Sequence, residues 1–376
     1  VSTALLLLNN CDSTDPKLEP ELLLKLEDVS CTEAWLKLTS NNIQIPNNIS
    51  LLVNGNVAKT FSLSTQDSLL YIDSLLPNQN YSFQVSSVQH PASSNKVTAT
   101  TLDTTSHNFT FETFTFGQHS SSTLYDVAII NENDIWAVGE IYMNDSLGNP
   151  DSKIYNAVHW DGNIWELKRI KTLFGGNLIT VPLEGIFAFS ATDIWMVGSL
   201  PIHGDGANWT MYDLRSTVDP NLSLSKVWGS RSNDIYFVGR NGSIAHYQNG
   251  TWTKIESGTT TNINDAWGVF ENGTSTVYCP VSSVFNPPQD KKILKITNDK
   301  VDSVSWNRDI GLNSAWTNNE NFLYVCGEGV YVNKFGNWNE IVLQPVGTNS
   351  IRGNGINDIF IDGDYGFIAH FNGKSW

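Results

Sequence analysis

Three histidines of this chain have the residue type and spacing of a possible metal centre. Each precedes an aromatic residue and lies six residues before a tryptophan: His159, His246 and His370. Zinc requires its ligands to converge within about 2 Å of the ion. Histidines at equivalent positions of separate repeats point away from a common axis, so we interpret them as packing residues of the repeat. The sequence predicts no metal site and no cofactor.

Carboxylates and one further histidine are the candidates for acid–base catalysis, because two such groups can move the protons of a hydrolase or lyase reaction. The clustered candidates are Asp145, Asp151, His203 and Asp205. The chain has no Gly-x-Ser-x-Gly elbow, no His-Glu-x-x-His pair, no P-loop and no dinucleotide fingerprint. The first interpretation is therefore a non-catalytic protein, and the alternative is a carbohydrate-active enzyme, a hydrolase or lyase.

Five stretches of the chain are imperfect copies of one another. They share an Asn-Asp-Ile-aromatic pattern that ends in glycine, and they span residues 133–139, 192–198, 233–239, 321–327 and 357–363. Each copy follows a short apolar run and, in most units, precedes another that ends in a turn and a tryptophan. These are strand and hairpin signals, about four per unit, and units of about 40 residues with four strands are typical of β-propellers.

Six such units lie between Leu124 and Trp376, and the fourth is degenerate around residues 275–280. A segment of alternating polarity, residues 108–116, precedes the first unit. We expect a six-bladed propeller whose last blade is closed by this segment, since closure removes the open strand edges of the first and last blades. A seven-bladed propeller with further C-terminal sequence is the alternative.

Aspartates and tryptophans recur within the units. The aspartates begin the second strand of their units and are predicted to close the preceding turn through their side chains: Asp134, Asp193, Asp234 and Asp358. The tryptophans that follow the third strand are predicted to pack between blades: Trp165, Trp252, Trp338 and Trp376.

Long insertions between the second and third strands vary from unit to unit. They are predicted at residues 140–155, 199–209 and 280–291, and antiparallel strands would place all three on one face of the propeller. Aromatic residues and methionine are enriched at interface cores. The predicted binding residues are Tyr142, Met143, Asp145, Asp151, His203, Asp205, Trp209 and Phe285. The oxygens of residues 145–151 also suit calcium, but the EF-hand pattern is lacking, so we interpret this segment as a turn.

The start of the chain has an apolar run, residues 4–8, followed by Asn10 and Cys11 and then a polar stretch. This pattern resembles the end of a bacterial lipoprotein signal peptide, and the resemblance implies that Cys11 is lipidated. Residues 1–19 are therefore predicted to be a signal-peptide remnant with its lipid-attachment motif and tether.

Residues 20–103 resemble a fibronectin type III domain. Trp35 lies in an early strand, Tyr81 follows a Leu-Pro turn, and a closing strand covers residues 96–102. The resemblance implies a β-sandwich in which the Tyr81 hydroxyl satisfies a nearby backbone group. Residues 104–107 are the predicted linker and residues 108–376 the propeller.

The turn before the repeat tryptophan, best seen at residues 159–165, resembles the Asp-box of sialidase-like propellers and the repeats of photosynthesis assembly-factor-like propellers. A sialidase would need clustered arginines to bind a carboxylate, and the six arginines of this chain are scattered among the units. The combination of a lipoprotein start, a fibronectin type III module and a propeller resembles bacterial cell-envelope lipoproteins.

Composition narrows the partners. The formal net charge of -16 disfavours nucleic acid, because an acidic surface repels phosphates. No apolar run is long enough to span a bilayer, so membrane contact is expected only through a lipid anchor. The first interpretation is a cell-surface binding or adhesion protein for a protein or glycan partner. An alternative function is a structural subunit of an envelope complex, and an alternative location is secretion. The sequence does not decide whether Cys279 and Cys326 form a disulfide.

Overall fold

The computed structural model describes residues 19–89, 91–118, 121–283 and 290–376. The chain divides into two compact units. The first contains the chain through His107 together with Ile356–Asp358 and Phe371–Trp376, and the second contains Asn108–Gly355 and Ile359–His370. Within the described residues, no helix has the length and apolarity needed to cross a membrane.

The first unit contains a sandwich of two antiparallel sheets, ordered β1-β2-β5 and β4-β3-β6-β7. Inward residues alternate along the strands, as in β1, where Leu22 and Leu24 are buried and their neighbours are exposed. The strands are β1 (Glu21–Val29), β2 (Ala34–Asn41), β3 (Asn47–Val53), β4 (Asn56–Leu63), β5 (Asp67–Ile72), β6 (Asn80–Ser87) and β7 (Val97–Thr100).

Two predictions for this sandwich are confirmed. Trp35 lies in an early strand, β2, where it is buried, with 3% of its surface exposed. The backbone N–H of Leu76 donates to the Tyr81 hydroxyl at 2.9 Å. The hydroxyl thereby satisfies a turn amide and fixes the approach to β6.

The remaining strands form six consecutive antiparallel sheets, five with four strands and the last with three, and one separate hairpin. The first sheet is β8 (Thr123–Asn131), β9 (Asp134–Ile141), β10 (Tyr155–Trp160) and β11 (Trp165–Lys168); the hairpin is β12 (Thr172–Phe174) and β13 (Asn177–Ile179); the second sheet is β14 (Gly185–Ser190), β15 (Asp193–Gly198), β16 (Leu200–Gly204) and β17 (Trp209–Met211). A single-turn helix, α1 (Leu214–Thr217), follows.

The later sheets have the same order. They are β18 (Leu224–Arg231), β19 (Asp234–Gly239), β20 (Ile244–Gln248) and β21 (Thr251–Lys254); β22 (Trp267–Glu271), β23 (Thr274–Val281), β24 (Lys292–Thr297) and β25 (Lys300–Val304); β26 (Leu312–Asn319), β27 (Phe322–Gly327), β28 (Val330–Lys334) and β29 (Asn337–Ile341); and β30 (Thr348–Gly355), β31 (Asp358–Gly363) and β32 (Phe367–Phe371). Two 3₁₀ turns cover Arg240–Gly242 and Asp364–Gly366.

Consecutive sheets bury apolar faces against one another. Trp136 and Val138 of β9 pack with Ile186 and Ile194 of the second sheet, and Val197 of β15 packs with Val227 of the third. Because no sheet could bury both faces alone, the stacking is what stabilises the repeat. The predicted all-β fold with propeller repeats is confirmed.

The prediction that residues 108–116 form a closing strand is wrong, since these residues belong to no hydrogen-bonded strand in the described part of the chain. Their phenyl rings instead pack on sheet faces. Phe109 contacts Phe360 and His370 of the last sheet, and Phe114 and Phe116 contact Trp165 of the first. Contacts between aromatic rings, and not pairing with β32, therefore place the segment.

The predicted insertion at 199–209 is also wrong. Residues 200–204 are β16, and β15 turns directly into it through Ser199, whose φ is 69°. The other two connections lie between second and third strands as predicted, at 142–154 and 282–291, with 284–289 outside the described residues.

Candidate binding face of the propeller

Antiparallel strands place alternate connections of the sheets on opposite faces. The connections from second to third strands emerge on the same face as those between sheets. We call this the loop face; its longer described connections are residues 142–154, 169–184, 212–223, 255–266, 282–283, 290–291, 305–311 and 342–347.

Asp145 organises the first of these loops. Its carboxylate accepts the backbone N–H groups of Leu147 and Asn149, each at 2.9 Å. The loop projects Leu147, whose exposed fraction is 83%. Among the described residues, no three His, Cys, Asp or Glu side chains are grouped to hold a metal ion. Asp145 therefore acts in this structure as a turn-forming residue.

Asp151 anchors the end of the same loop. Its carboxylate accepts from Lys153 N at 2.9 Å and pairs with Arg169 Nη2 at 2.6 Å. The Lys153 amide, with the Arg169 charge, lowers the pKa of Asp151. Arg169 also lies 3.9 Å from the Tyr155 ring centroid. The carboxylate is thus committed to holding the loop.

Tyr142 and Met143 form the base of that loop. The Tyr142 hydroxyl donates to the Glu140 carboxylate, and this hydrogen bond raises the pKa of Tyr142. Met143 packs on the cluster of Ile141 and Val158. Both side chains are half-buried, so they support the loop and leave its tip to make outside contacts.

His203 belongs to the repeat and not to a variable loop. Its ring stacks on Trp195 with centroids 4.1 Å apart, and Nε2 lies 2.8 Å from Asp193 Oδ1. The sequence signal was present, because His203 lies six residues before Trp209, the spacing of the other repeat histidines. The Leu-Pro-Ile context of β16 concealed it.

The same aspartate–histidine–aromatic arrangement occurs in the first and third sheets. His159 stacks on Trp136 at 4.1 Å and lies 2.9 Å from Asp134, and His246 stacks on Tyr236 at 4.0 Å and lies 2.8 Å from Asp234. These aspartates thus bond to the third strand, a contact that was not predicted, and Asp234 also accepts from Ser230 across the preceding turn.

Asp205 forms the turn between β16 and β17. It accepts from Ala207 N at 2.9 Å and Asn208 N at 2.6 Å, and the Asn208 side chain and these amides lower the pKa of Asp205 to about 2. This turn emerges on the face opposite the Asp145 loop. Trp209 packs between sheets against Trp136, with centroids 5.8 Å apart.

The four acid–base candidates are therefore not brought together. Asp145 and Asp151 hold one loop, whereas His203 and Asp205 serve the second sheet and its opposite turn. Phe285 and Cys11 lie outside the described residues.

A feature that the sequence analysis missed is the hairpin of β12 and β13. Leu173 and Leu178 pair across its strands, and each is 65% exposed. Beside the hairpin lies a cavity of about 300 Å³, lined mainly by apolar groups and by Arg215. Its apolar lining includes Phe174, Ile179, Val181, Pro182, Leu200 and Met211. The loop face thus combines exposed apolar side chains with a small recess.

The innermost strands of the sheets surround a second cavity, of about 550 Å³. Arg352 Nη1 and Nη2 donate to the two carboxylate oxygens of Asp265 at 2.8 and 2.9 Å. Lys226 Nζ lies 3.5 Å from Asp126 Oδ2. Both cationic groups that line this cavity are thus paired with carboxylates.

The cysteines of the described residues, Cys31, Cys279 and Cys326, are free and buried. Burial raises the pKa of Cys31 to about 11 and that of Cys326 to about 12. Since the thiolate is the reactive form, we expect all three to resist an aromatic disulfide reagent at pH 8 until the protein is unfolded. In urea, these three thiols should then react. Two missing thiols under non-reducing conditions would instead indicate a disulfide.

The radial stack of sheets makes this chain a β-propeller protein. No family model and no curated protein matches it. Among solved structures it is similar to YCF48 bound to a D1 peptide, at 13% identity over 70% of this chain and 86% of that chain, with a TM-score of 0.49.

Two further similar structures have lower scores. YCF48 from Cyanidioschyzon merolae is 14% identical over 68% of this chain and 97% of that chain, with a TM-score of 0.41. A quinoprotein alcohol dehydrogenase-like protein from Bacteroides thetaiotaomicron is 13% identical over 92% and 91%, with a TM-score of 0.40. Because every score is below 0.5, the fold assignment rests on the chain's own sheets.

Proposed function

We propose that this protein is a non-catalytic binding protein of the bacterial cell envelope whose loop face takes a protein partner. The observation that carries this proposal is the β12–β13 hairpin. It belongs to no propeller sheet, and it presents paired leucines to solvent next to an apolar recess.

Exposed leucines on a projecting hairpin are unfavourable unless something covers them. Fully burying a leucine side chain contributes about 1.5–3 kcal/mol, and contiguous apolar patches with polar rims are typical of interaction sites. Glu184 and Arg215 lie at the cavity beside the hairpin. The recess has the size to accept one or two apolar side chains of a partner, which is the usual form of an interface anchor.

The lining of the recess favours protein over glycan. Sugar rings stack on flat aromatic faces, whereas this recess is mainly aliphatic and has one phenyl ring, that of Phe174. Among the described residues, the candidates for an acid–base pair, Asp145, Asp151, His203 and Asp205, serve separate structural roles.

The finer parts of the proposal concern the first unit and the chain start. The three-plus-four strand order and the Leu76–Tyr81 hydrogen bond support a fibronectin type III-like spacer. The sequence around Cys11 supports lipidation there, which would hold the protein at a membrane surface.

Replacing both hairpin leucines tests the binding face. We expect the Leu173→Ser/Leu178→Ser variant to lose at least tenfold in affinity for a partner captured from envelope extracts, because each leucine would be buried on binding. Its melting temperature should change little, since both side chains are already exposed. The measurement is quantitative capture on immobilised protein, followed by titration of the identified partner.

The matched control is Ile164→Ser, because Ile164 is 56% exposed in the β10–β11 turn on the opposite face. It should bind as the unchanged protein does. Equal binding by the hairpin variant would contradict the proposal, and capture of glycans without any protein would favour a carbohydrate-binding function.

A further inference from the structure

The first sheet leaves part of one face uncovered. Val127 of β8 is 52% exposed and Ile129 is 70% exposed. Residues at the position of Val127 in other sheets face the preceding sheet and are buried; their exposed fractions are Ile186 4%, Val227 6%, Ala315 0% and Ile351 0%. The strand register supports the comparison. Ile186, Val227 and Ala315 each pair with the residue two positions before the glycine that ends the second-strand motif, as Val127 does. Val127 thus lacks the cover that its counterparts have.

The last sheet is uncovered on its other side, the one that in earlier sheets packs against the following sheet. Asp362 of β31 is exposed at a position where the other sheets bury an apolar side chain. Those side chains, each with 0% of their surface exposed, are Val138, Val197, Val238 and Cys326. Ile368 of β32 is 57% exposed, whereas its counterpart Ile244 is 0% exposed.

The uncovered faces of the first and last sheets are not packed on each other. Val127 and Ala137 of the first sheet and Asp362 of the last reach the central cavity of about 550 Å³, which residues of the third and fifth sheets also line. The first strands of consecutive sheets pack on one another along the stack, but β8 and β30 make no comparable contact. Among the described residues, Asp362 forms no hydrogen bond or ion pair, and partial desolvation raises its pKa.

The segment 108–116 contacts both the last and the first sheet. Phe109 packs on Phe360 and His370 of the last sheet, and Phe116 joins the apolar cluster of Ala137 and Val158 on the first. Between them, Phe111 is 76% exposed. The backbone of this segment pairs with no described strand, although its polarity alternates almost as in a strand.

We propose that the space between the last and first sheets seats a seventh antiparallel sheet of the same repeat, with residues 108–116 as its outermost strand. One face of this sheet is apolar and covers Val127 and Ile129. The other face of this seventh sheet covers Ile368 and presents a lysine, an arginine or a hydroxyl group to Asp362. The interface continues the sheet-to-sheet packing of the stack, which is why a repeat-like sheet fits better than an unrelated surface.

Thiol accessibility tests whether the space is open. In a Cys11→Ser background, we expect a maleimide to label Val127→Cys at least 100-fold faster than Val227→Cys, since only the latter position is covered. The native cysteines of the described residues are buried and add little background. Slow labelling of Val127→Cys in a monomer would show that the ring closes without a further sheet. Slow labelling in a dimer would show that a second copy fills the space. Either result overturns the proposal.

A graft tests the occupant itself. Trp376 corresponds in the repeat to Trp209, so residues 210–248 appended after Trp376 supply the rest of a fourth strand and copies of β18 to β20. We expect the graft to slow labelling of Val127→Cys to the rate of Val227→Cys and to protect amides 108–116 from hydrogen exchange. The same graft with Phe109→Ser and Phe111→Ser should protect less. A folded graft that leaves Val127→Cys fully reactive would also overturn the proposal.

Discussion

Replacing Arg352 with methionine is expected to destabilise the propeller by about 3–5 kcal/mol, because it leaves the buried Asp265 carboxylate without its cation. The Asp265 side chain is 4% exposed, and Arg352 holds both of its oxygens. Ser314 Oγ also donates to Asp265 at 2.6 Å, but one hydroxyl cannot neutralise a charge. Urea unfolding at pH 7 measures the loss.

The pH dependence of this variant gives a second readout. Burial alone would raise the pKa of Asp265, but the Arg352 charge outweighs it and lowers that pKa. The Asp265–Arg352 pair therefore stabilises the folded protein fully at pH values above the pKa of an unfolded aspartate, about 3.9. This contribution is lost as the pH falls through the lower pKa of Asp265 in the folded protein. Without Arg352, burial raises the pKa, so the variant should recover stability on acidification while the unchanged protein loses it.

Two controls separate this effect from general damage. Arg240→Met removes a surface pair with Glu184, in which Arg240 is 51% exposed, and should cost less than about 1 kcal/mol. Asp265→Asn combined with Arg352→Met removes both charges and should recover part of the loss. An Arg352→Met variant with the pH profile of the unchanged protein would contradict the electrostatic explanation.

Replacing Asp234 with alanine should cost about 3 kcal/mol, the second large effect. Asp234 is 2% exposed and accepts from the His246 ring, Ser230 and Ser275. Hydrogen bonds to a charged group contribute about 1.5–3 kcal/mol, and two of the donors left behind, His246 and Ser275, are buried. Thermal and urea unfolding would measure the change.

The repeat supplies the matched control for Asp234. Asp134 occupies the equivalent position in the first sheet, but its side chain is 18% exposed, so Asp134→Ala should cost about 1 kcal/mol. Equal losses at both positions would mean that burial does not set the strength of this pair. A pH profile adds a check, because these hydrogen bonds lower the pKa of Asp234, and its contribution should therefore be lost only on acidification.

The propeller could be predicted because its signals are local. The Asn-Gly turn at 249–250 adopts φ values of 50° and 86°, as a tight hairpin requires, and the glycine-terminated strand motif recurs with little change. The β15–β16 connection was missed because a single residue, Ser199, makes the turn. A connection between antiparallel strands is expected to have at least two residues, so the strand that follows Ser199 was predicted to be a loop.

The candidate site was harder to predict, because it depends on strand register. Nothing in sequence spacing alone shows that His159 lies opposite Trp136, yet that pairing brings its ring to Asp134. The β12–β13 hairpin, in contrast, carried a usable signal, since Gly175 and Gly176 both have positive φ between two short apolar runs. Its exposed leucines cannot be recognised from sequence, because the same pattern would suit a buried strand.

The placement of residues 108–116 has a consequence for biosynthesis. Hairpins within each sheet join neighbours in sequence and can form as the chain emerges, whereas Phe109 meets His370 only after the whole array of repeats exists. Until then the rings of Phe109, Phe114 and Phe116 lack the contacts that they make in the folded protein. We expect this segment to be the one that chaperones must shield during translation.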